Sequence, residues 1–172
     1  ALAKMAEAVH EHGALAGIEL VHGGYSNANH YSRIPPIAPS LTSVNSYDPV
    51  QARAMTKADI RDFRRWHRQA AVRSRQAGFD LVYVYAGHNL TLLMHFLSRR
   101  FNHRTDEYGG SLENRARLFR EVLEETIDAV GDSCAVAVRF AVDELLGPEG
   151  ITCENEGREV VEMLAELPDL WD

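Results

Sequence analysis

The chain of 172 residues has two cysteines, no long apolar run and no excess of basic charge, and each shortage removes a class of function. Cys134 and Cys153 stand far apart and lack the C-x-x-C spacing of a zinc or thiol-redox site. Cys134 lies in an apolar run and reads as a small core residue; a reducing cytoplasm is the expected compartment. No apolar stretch approaches the roughly 20 residues that span a bilayer. No charged-then-apolar leader with a small-residue cleavage site opens the chain. Eighteen Lys and Arg against 25 Asp and Glu give a formal net charge of −7. That balance argues against the basic face a nucleic-acid binder needs. No G-x-G-x-x-G turn follows any strand, which weighs against a nucleotide-binding Rossmann fold, and no H-E-x-x-H spacing suggests a metal site.

What remains is an ordinary globular composition, 45% hydrophobic and 25% charged, able to bury a core. Leu2, Met5 and Val9 recur at helical spacing within Ala1 to His12, and Gly13 stops them. A short apolar run, Ala14 to Val21, has strand length. A polar stretch with Pro35, Pro36, Pro39 and Pro49 then reaches about Met55, long enough for a functional connection. Thr56 with Asp59 resembles a helix cap, opening a helix that runs to Ala77 before Gly78. Phe79 to Tyr85 is a second strand. Another long connection leads to Gly110, after which Ser111 caps a helix reaching about Val130. Cys134 to Phe140 is a third strand, about Asn155 to Glu166 a helix, and Leu170-Trp171 the start of a fourth strand.

Helices alternating with continuously apolar strands specify a parallel sheet covered by helices. An open doubly wound sheet and a closed barrel both satisfy that order. The loops after strands are long and polar and those before them short, which suits a barrel whose working face is built from the βα loops. Both ends look abrupt, and such barrels need about 250 residues. The expectation is therefore an α/β chain forming the central portion of a TIM (β/α)8 barrel, about strands 3 to 6, as one partial domain over 1–172.

Ligands of parallel β/α folds gather at the carboxyl ends of the strands. Three strand ends here carry polar groups: Glu19 with His22, Tyr85 with His88, and Arg139. Arg139 directly follows an apolar run, and a guanidinium there is either a structural salt bridge or a clamp for an anion or carbonyl. Glu19 interrupts Ile18 and Leu20, and could pair with an arginine or accept from a bound heterocycle. Tyr85 and His88 are placed to share a proton network on one small substrate, or to serve as a barrel aromatic and a turn residue. Five other histidines, His10, His12, His67, His95 and His103, are expected in solvent. So is the arginine-rich helix face around Arg61, Arg64, Arg65, Arg68, Arg73 and Arg75.

The string Asn102-His103-Arg104-Thr105-Asp106-Glu107-Tyr108-Gly109-Gly110-Ser111-Leu112-Glu113-Asn114-Arg115 is similar to a signature of the Old Yellow Enzyme family of FMN oxidoreductases. The resemblance extends along the chain, through GALAGIELVHGGYSNAN, AGFDLVYVYAGHNLTLLMHFLS and CAVAVRF, which match the family's third, fourth and fifth strands. Within it, the sequence resembles the trimethylamine, dimethylamine and histamine dehydrogenase branch. Ene-reductases of the family place a histidine where Tyr85 stands and a glutamine at the position of Glu19; the closing DLWD also favours the amine branch.

By that resemblance Glu19 would accept from the pyrimidine edge of FMN, and Arg139 would lie beside N1 and the C2 carbonyl, favouring the reduced cofactor. Tyr85 and His88 would be catalytic, in a network with an aspartate that follows this segment; Asp172 precedes that position. No metal ligands are expected here, and a 4Fe-4S cluster would belong to the full-length protein beyond this segment. The implied reaction is oxidative N-dealkylation or deamination of a small-molecule amine by hydride transfer to flavin. An electron-transfer protein would be the acceptor, and the chain would form a homo-oligomer, with neither nucleic acid nor membrane as a partner. The alternatives are an NAD(P)H-dependent ene-reductase or dienoyl-CoA-reductase-like enzyme, and a non-catalytic half-barrel. Two segments depart from the family pattern, Asn89 to Leu93 and the loop from Tyr25 to Tyr47, so the identity of the substrate does not carry over.

Overall fold

The computed structural model describes residues 1–29, 31–42 and 50–172. Four strands form one parallel sheet in the order β1 (Gly17–Leu20), β4 (Leu81–Ala86), β5 (Ala135–Phe140) and β6 (Leu170–Trp171). Each new strand is added beside the previous one, the order of a barrel rather than of a sheet that reverses direction. A second, two-stranded pair, β2 (Ile37–Ala38) with β3 (Arg53–Ala54), lies within the long connection after β1. Tyr47, the far end of the divergent loop, and Pro49 lie outside the described residues.

The register fixes two chemically different faces. Glu19 lies opposite Tyr83, and Tyr85 opposite Arg139, so these four side chains alternate onto one side. Val82, Val84, Ala86, Val136, Val138 and Phe140 point the other way and are buried. They pack with Ile60 and Phe63 of α2 (Lys57–Gln76) and with Phe119, Val122 and Leu123 of α4 (Leu112–Val130). Each of the larger of these side chains (Val, Leu, Ile, Phe) contributes roughly 1.5–3 kcal/mol when fully buried. The helices cover the apolar face, and the polar face is the one a closed barrel turns inward. The chain is thus an arc of a β/α barrel.

Aspartates link successive strand entrances. The Asp80 carboxylate accepts from Ala16 N–H at 2.7 Å and meets His10 Nε2 at 2.7 Å, tying α1 (Leu2–His10) and the entrance of β1 to that of β4. Asp169 repeats the device, accepting from Val136 N–H at 2.8 Å. Helix α2 opens with a full capping box between Thr56 and Asp59, and Arg53 adds two bonds of 2.7 Å to the Asp59 carboxylate.

The arginine-rich helix is not simply a solvated face. Arg64 pairs with Glu121 at 2.9 Å and with Glu125, and Arg68 with Asp128 at 2.6 Å, so ion pairs join α2 to α4. His67 and His95 also differ from expectation, for both are buried. His67 continues the buried stripe Ile60, Phe63, Ala71 and Ser74 of α2, and burial lowers its pKa to about 4. His95 lies on α3 (Leu92–Leu97), a helix within the connection after β4 whose six residues are all buried.

The Asn102–Arg115 string is a structural clamp. Asn102 Nδ2 donates to the carbonyls of Phe96 (2.6 Å) and Tyr108 (2.7 Å). Arg104 donates to the carbonyls of Pro39 (2.9 Å) and Met55 (2.6 Å) and pairs with Asp106, fastening the β2–β3 excursion to this loop. Gly109 passes so near the Arg104 carbonyl that any Cβ would collide with it. Ser111 caps α4. Arg115, 1% exposed, reaches from α4 to the Leu97 and Gly110 carbonyls and to Glu156 on α5 (Glu156–Leu164).

Candidate functional site

Strand β5 carries Arg139 as its only residue that is exposed on the polar face, one position before its end. Its Nη1 lies 3.5 Å from Glu19 Oε2 and its Nε 3.6 Å from Asp172 Oδ2. The guanidinium also stands over the Tyr85 ring, 5.6 Å from the centroid. The ion pairs are long, and the arginine side chain is 45% exposed, so its donors are not consumed within the chain. Glu19 at 35% is similarly open.

Tyr85 ends the polar-face row of β4, and its hydroxyl is hydrogen-bonded to Nδ1 of His88. The phenol ring is buried while His88 is exposed. Burial pushes the Tyr85 pKa up, the Glu19 carboxylate pushes it the same way, and Arg139 opposes both. The phenol is therefore a neutral hydroxyl near pH 7, able to donate or accept. Gly87 gives this turn its shape, since a Cβ there would stand 2.8 Å from the Tyr85 ring.

All four sequence-derived residues come together: Glu19, Tyr85 and Arg139 on adjacent strands, with His88 hydrogen-bonded to Tyr85. His22 does not join them. Its Nδ1 accepts from Gly24 N–H at 3.0 Å, its ring meets Phe63 edge-on at 5.6 Å, and burial lowers its pKa. Sequence reasoning set Asp172 aside and omitted Tyr83. Asp172 is a second carboxylate beside Arg139, and strand alternation from Tyr85 already places Tyr83 on the same face. Among the described residues, no group of three or more His, Cys, Asp and Glu side chains gathers to hold a metal ion. No helix among them is long and apolar enough to cross a membrane.

The arrangement offers a fixed cation flanked by carboxylates beside a phenol–imidazole pair, on an inward-facing surface. Such a surface suits a planar, polar-edged ligand lying against a proton-handling couple.

Known proteins share both the sequence and the shape. The chain is 54% identical to a solved 6-hydroxypseudooxynicotine amine oxidase from Pseudomonas geniculata N1, with a TM-score of 0.95 over 99% of this chain and 26% of that one. It is 51% identical to histamine dehydrogenase from Rhizobium sp. 4-9, with a TM-score of 0.94 over 99% of this chain and 25% of that one. Dimethylamine dehydrogenase from Hyphomicrobium sp. (strain x) is 38% identical over 99% of this chain, which spans 24% of that protein's length. Residues 1–172 match one family throughout, and the chain belongs to it: the NADH:flavin oxidoreductase / NADH oxidase family.

Proposed function

We propose that this segment is the flavin-facing arc of a longer FMN-dependent oxidoreductase that oxidises an amine at the carbon beside nitrogen. The observation that carries this is the hydrogen-bonded Tyr85–His88 pair beside Arg139, in a chain whose 54% and 51% identical neighbours are amine enzymes.

The residues present fit FMN. Glu19 offers a carboxylate acceptor and Arg139 a planar donor fork, both partly exposed and only loosely paired at 3.5 Å. A flavin pyrimidine edge presents an N–H and carbonyls complementary to that donor–acceptor set. When bound, FMN supplies the acceptor for the two electrons that leave the substrate. Arg139 contributes a permanent positive charge, with Glu19 and Asp172 beside it at 3.5 and 3.6 Å.

Tyr85 and His88 act on the substrate. An ammonium has no lone pair to assist loss of hydride from its neighbouring carbon, whereas a neutral amine has one. The Tyr85 hydroxyl orients the nitrogen, and His88 takes up its proton through the hydrogen bond they share. The product iminium is then hydrolysed by water to an aldehyde and the shorter amine. A 4Fe-4S cluster outside this segment and a protein acceptor for the electrons belong to the same proposal, and iron and acid-labile sulfide analysis of the full-length protein tests the former.

The main test is anaerobic stopped-flow on the full-length protein. Dimethylamine or histamine should bleach the flavin absorbance, and Tyr85→Phe should slow bleaching by roughly 10-fold or more. Bleaching by NADPH with reoxidation by an enone, and no response to amines, would instead make it an ene-reductase. A protein that binds FMN and responds to neither donor would be a binding module.

A further inference from the structure

We propose that His95 is a positioning residue, whose buried ring pins the His88–Asn89 turn so that His88 faces Tyr85. The catalytic consequence rests on the amine reading above; the pinning itself does not.

His88 and Asn89 have φ of 55° and 52°, two successive side-chain-bearing residues in the left-handed region. A turn of this kind persists only where its surroundings over-determine it. Two hydrogen bonds do so here. Leu90 N–H closes the turn onto the Gly87 carbonyl at 3.2 Å, and His95 Nε2 lies 3.1 Å from the Asn89 carbonyl. A carbonyl only accepts, so Nε2 carries the proton and donates.

The ring that donates is itself tightly enclosed. It is fully buried, with the Tyr25 ring centroid 4.4 Å away and that of Phe101 5.3 Å away. Gly24 backs it so closely that a Cβ there would lie 2.5 Å from Nδ1. Helix α3, which carries it, is fixed at its start. The Thr91 hydroxyl accepts from Met94 N–H, and the His22 carbonyl accepts from Leu92 N–H at 2.8 Å. Burial lowers the His95 pKa to about 4, which keeps the ring neutral.

The polar ring is costly where it stands. Nδ1 is buried with no hydrogen-bond partner among the described residues. A leucine would fill the aromatic cluster without that cost. What a leucine lacks is the single N–H directed at the turn, so the ring is explained by the turn it holds.

The experiment compares His95→Leu, which deletes the donor, with His95→Gln, whose amide can replace it, in full-length protein loaded with FMN. Hydrogen exchange of the peptide covering residues 87–91 should quicken in H95L and return toward the parent rate in H95Q. Amine-dependent flavin bleaching should fall about tenfold in H95L but hardly change when the same substitution is made in a His88→Ala background. Unchanged exchange in H95L, or an equal loss of rate in both backgrounds, would overturn the proposal. If H88A alone leaves bleaching unchanged, the amine role of the pair fails, and exchange still decides the pinning. Should H95L not fold, Gly24→Ala displaces the ring without deleting it and is held to the same two outcomes.

Discussion

Replacing Arg115 by leucine should be among the most damaging single changes in this chain. Arg115 is 1% exposed, and its guanidinium spends its donors on three separate elements. Nε meets the Gly110 carbonyl at 3.1 Å, Nη1 the Leu97 carbonyl, and Nη2 Glu156 Oε1 at 2.5 Å. Leucine leaves two carbonyls and a carboxylate that is 7% exposed without those donors. Breaking a buried pair from one side costs about 3–5 kcal/mol. Arg99 also reaches Glu156, and its side chain is 60% exposed and able to follow the carboxylate, so the lower end of that range applies. For a domain of 150–250 residues, 3 kcal/mol corresponds to a Tm drop of roughly 6–12 °C. Differential scanning calorimetry of full-length R115L against the parent reads it directly. The double variant R115L/E156L, which removes the stranded charge, should recover part of the loss. A shift below about 2 °C in R115L would show that the clamp is not the tie between α4, α5 and the loop before them.

Two further outcomes are expected. Burial places the His67 and His95 pKa values at about 4, against 6.5 for an ordinary histidine. The unfolded chain therefore binds protons that the folded chain refuses between those values. Stability is fully present above about pH 6.5 and falls toward pH 4 by roughly 3 kcal/mol per ring. Thermal melts from pH 7.5 to 4.5 should show a shallower acid decline for His67→Leu than for the parent, and equal slopes would contradict this account. Arg139→Met should slow amine-dependent bleaching of the full-length protein by roughly 10–100-fold. Its Tm should scarcely move, because exposed ion pairs of 3.5 and 3.6 Å contribute about 1 kcal/mol or less. A large Tm loss with unchanged bleaching would make Arg139 a structural residue.

The strands and long helices were legible because their periodicity is strong. The Thr56–Asp59 cap, the Ser111 cap and the gathering of Glu19, Tyr85, His88 and Arg139 all follow from sequence position and strand order. Helix α3 was not legible, because a segment buried on every side has no polar stripe to mark its period. The β2–β3 pair was hidden by its two-residue strands. His67 was legible in principle: it stands four residues after Phe63 and four before Ala71 on a spacing that marks the buried stripe. Its polar character outweighed the pattern. His95 offered no such signal, since its role depends on a carbonyl six residues away in a turn whose left-handed backbone the sequence does not announce.

The alternation of β5 has a consequence for how the chain folds as well as for what it binds. Were β5 to pair with β4 one residue out of step, Arg139 would enter the layer now filled by Val136, Val138 and Phe140, and a valine would take its place on the open side. A guanidinium buried among valines without a partner carries a large desolvation cost, so the misaligned pairing is strongly disfavoured. The charge proposed for the cofactor thus also serves as an alignment mark for the sheet. A variant that neutralises it loses a safeguard against misassembly even where the finished structure is unchanged.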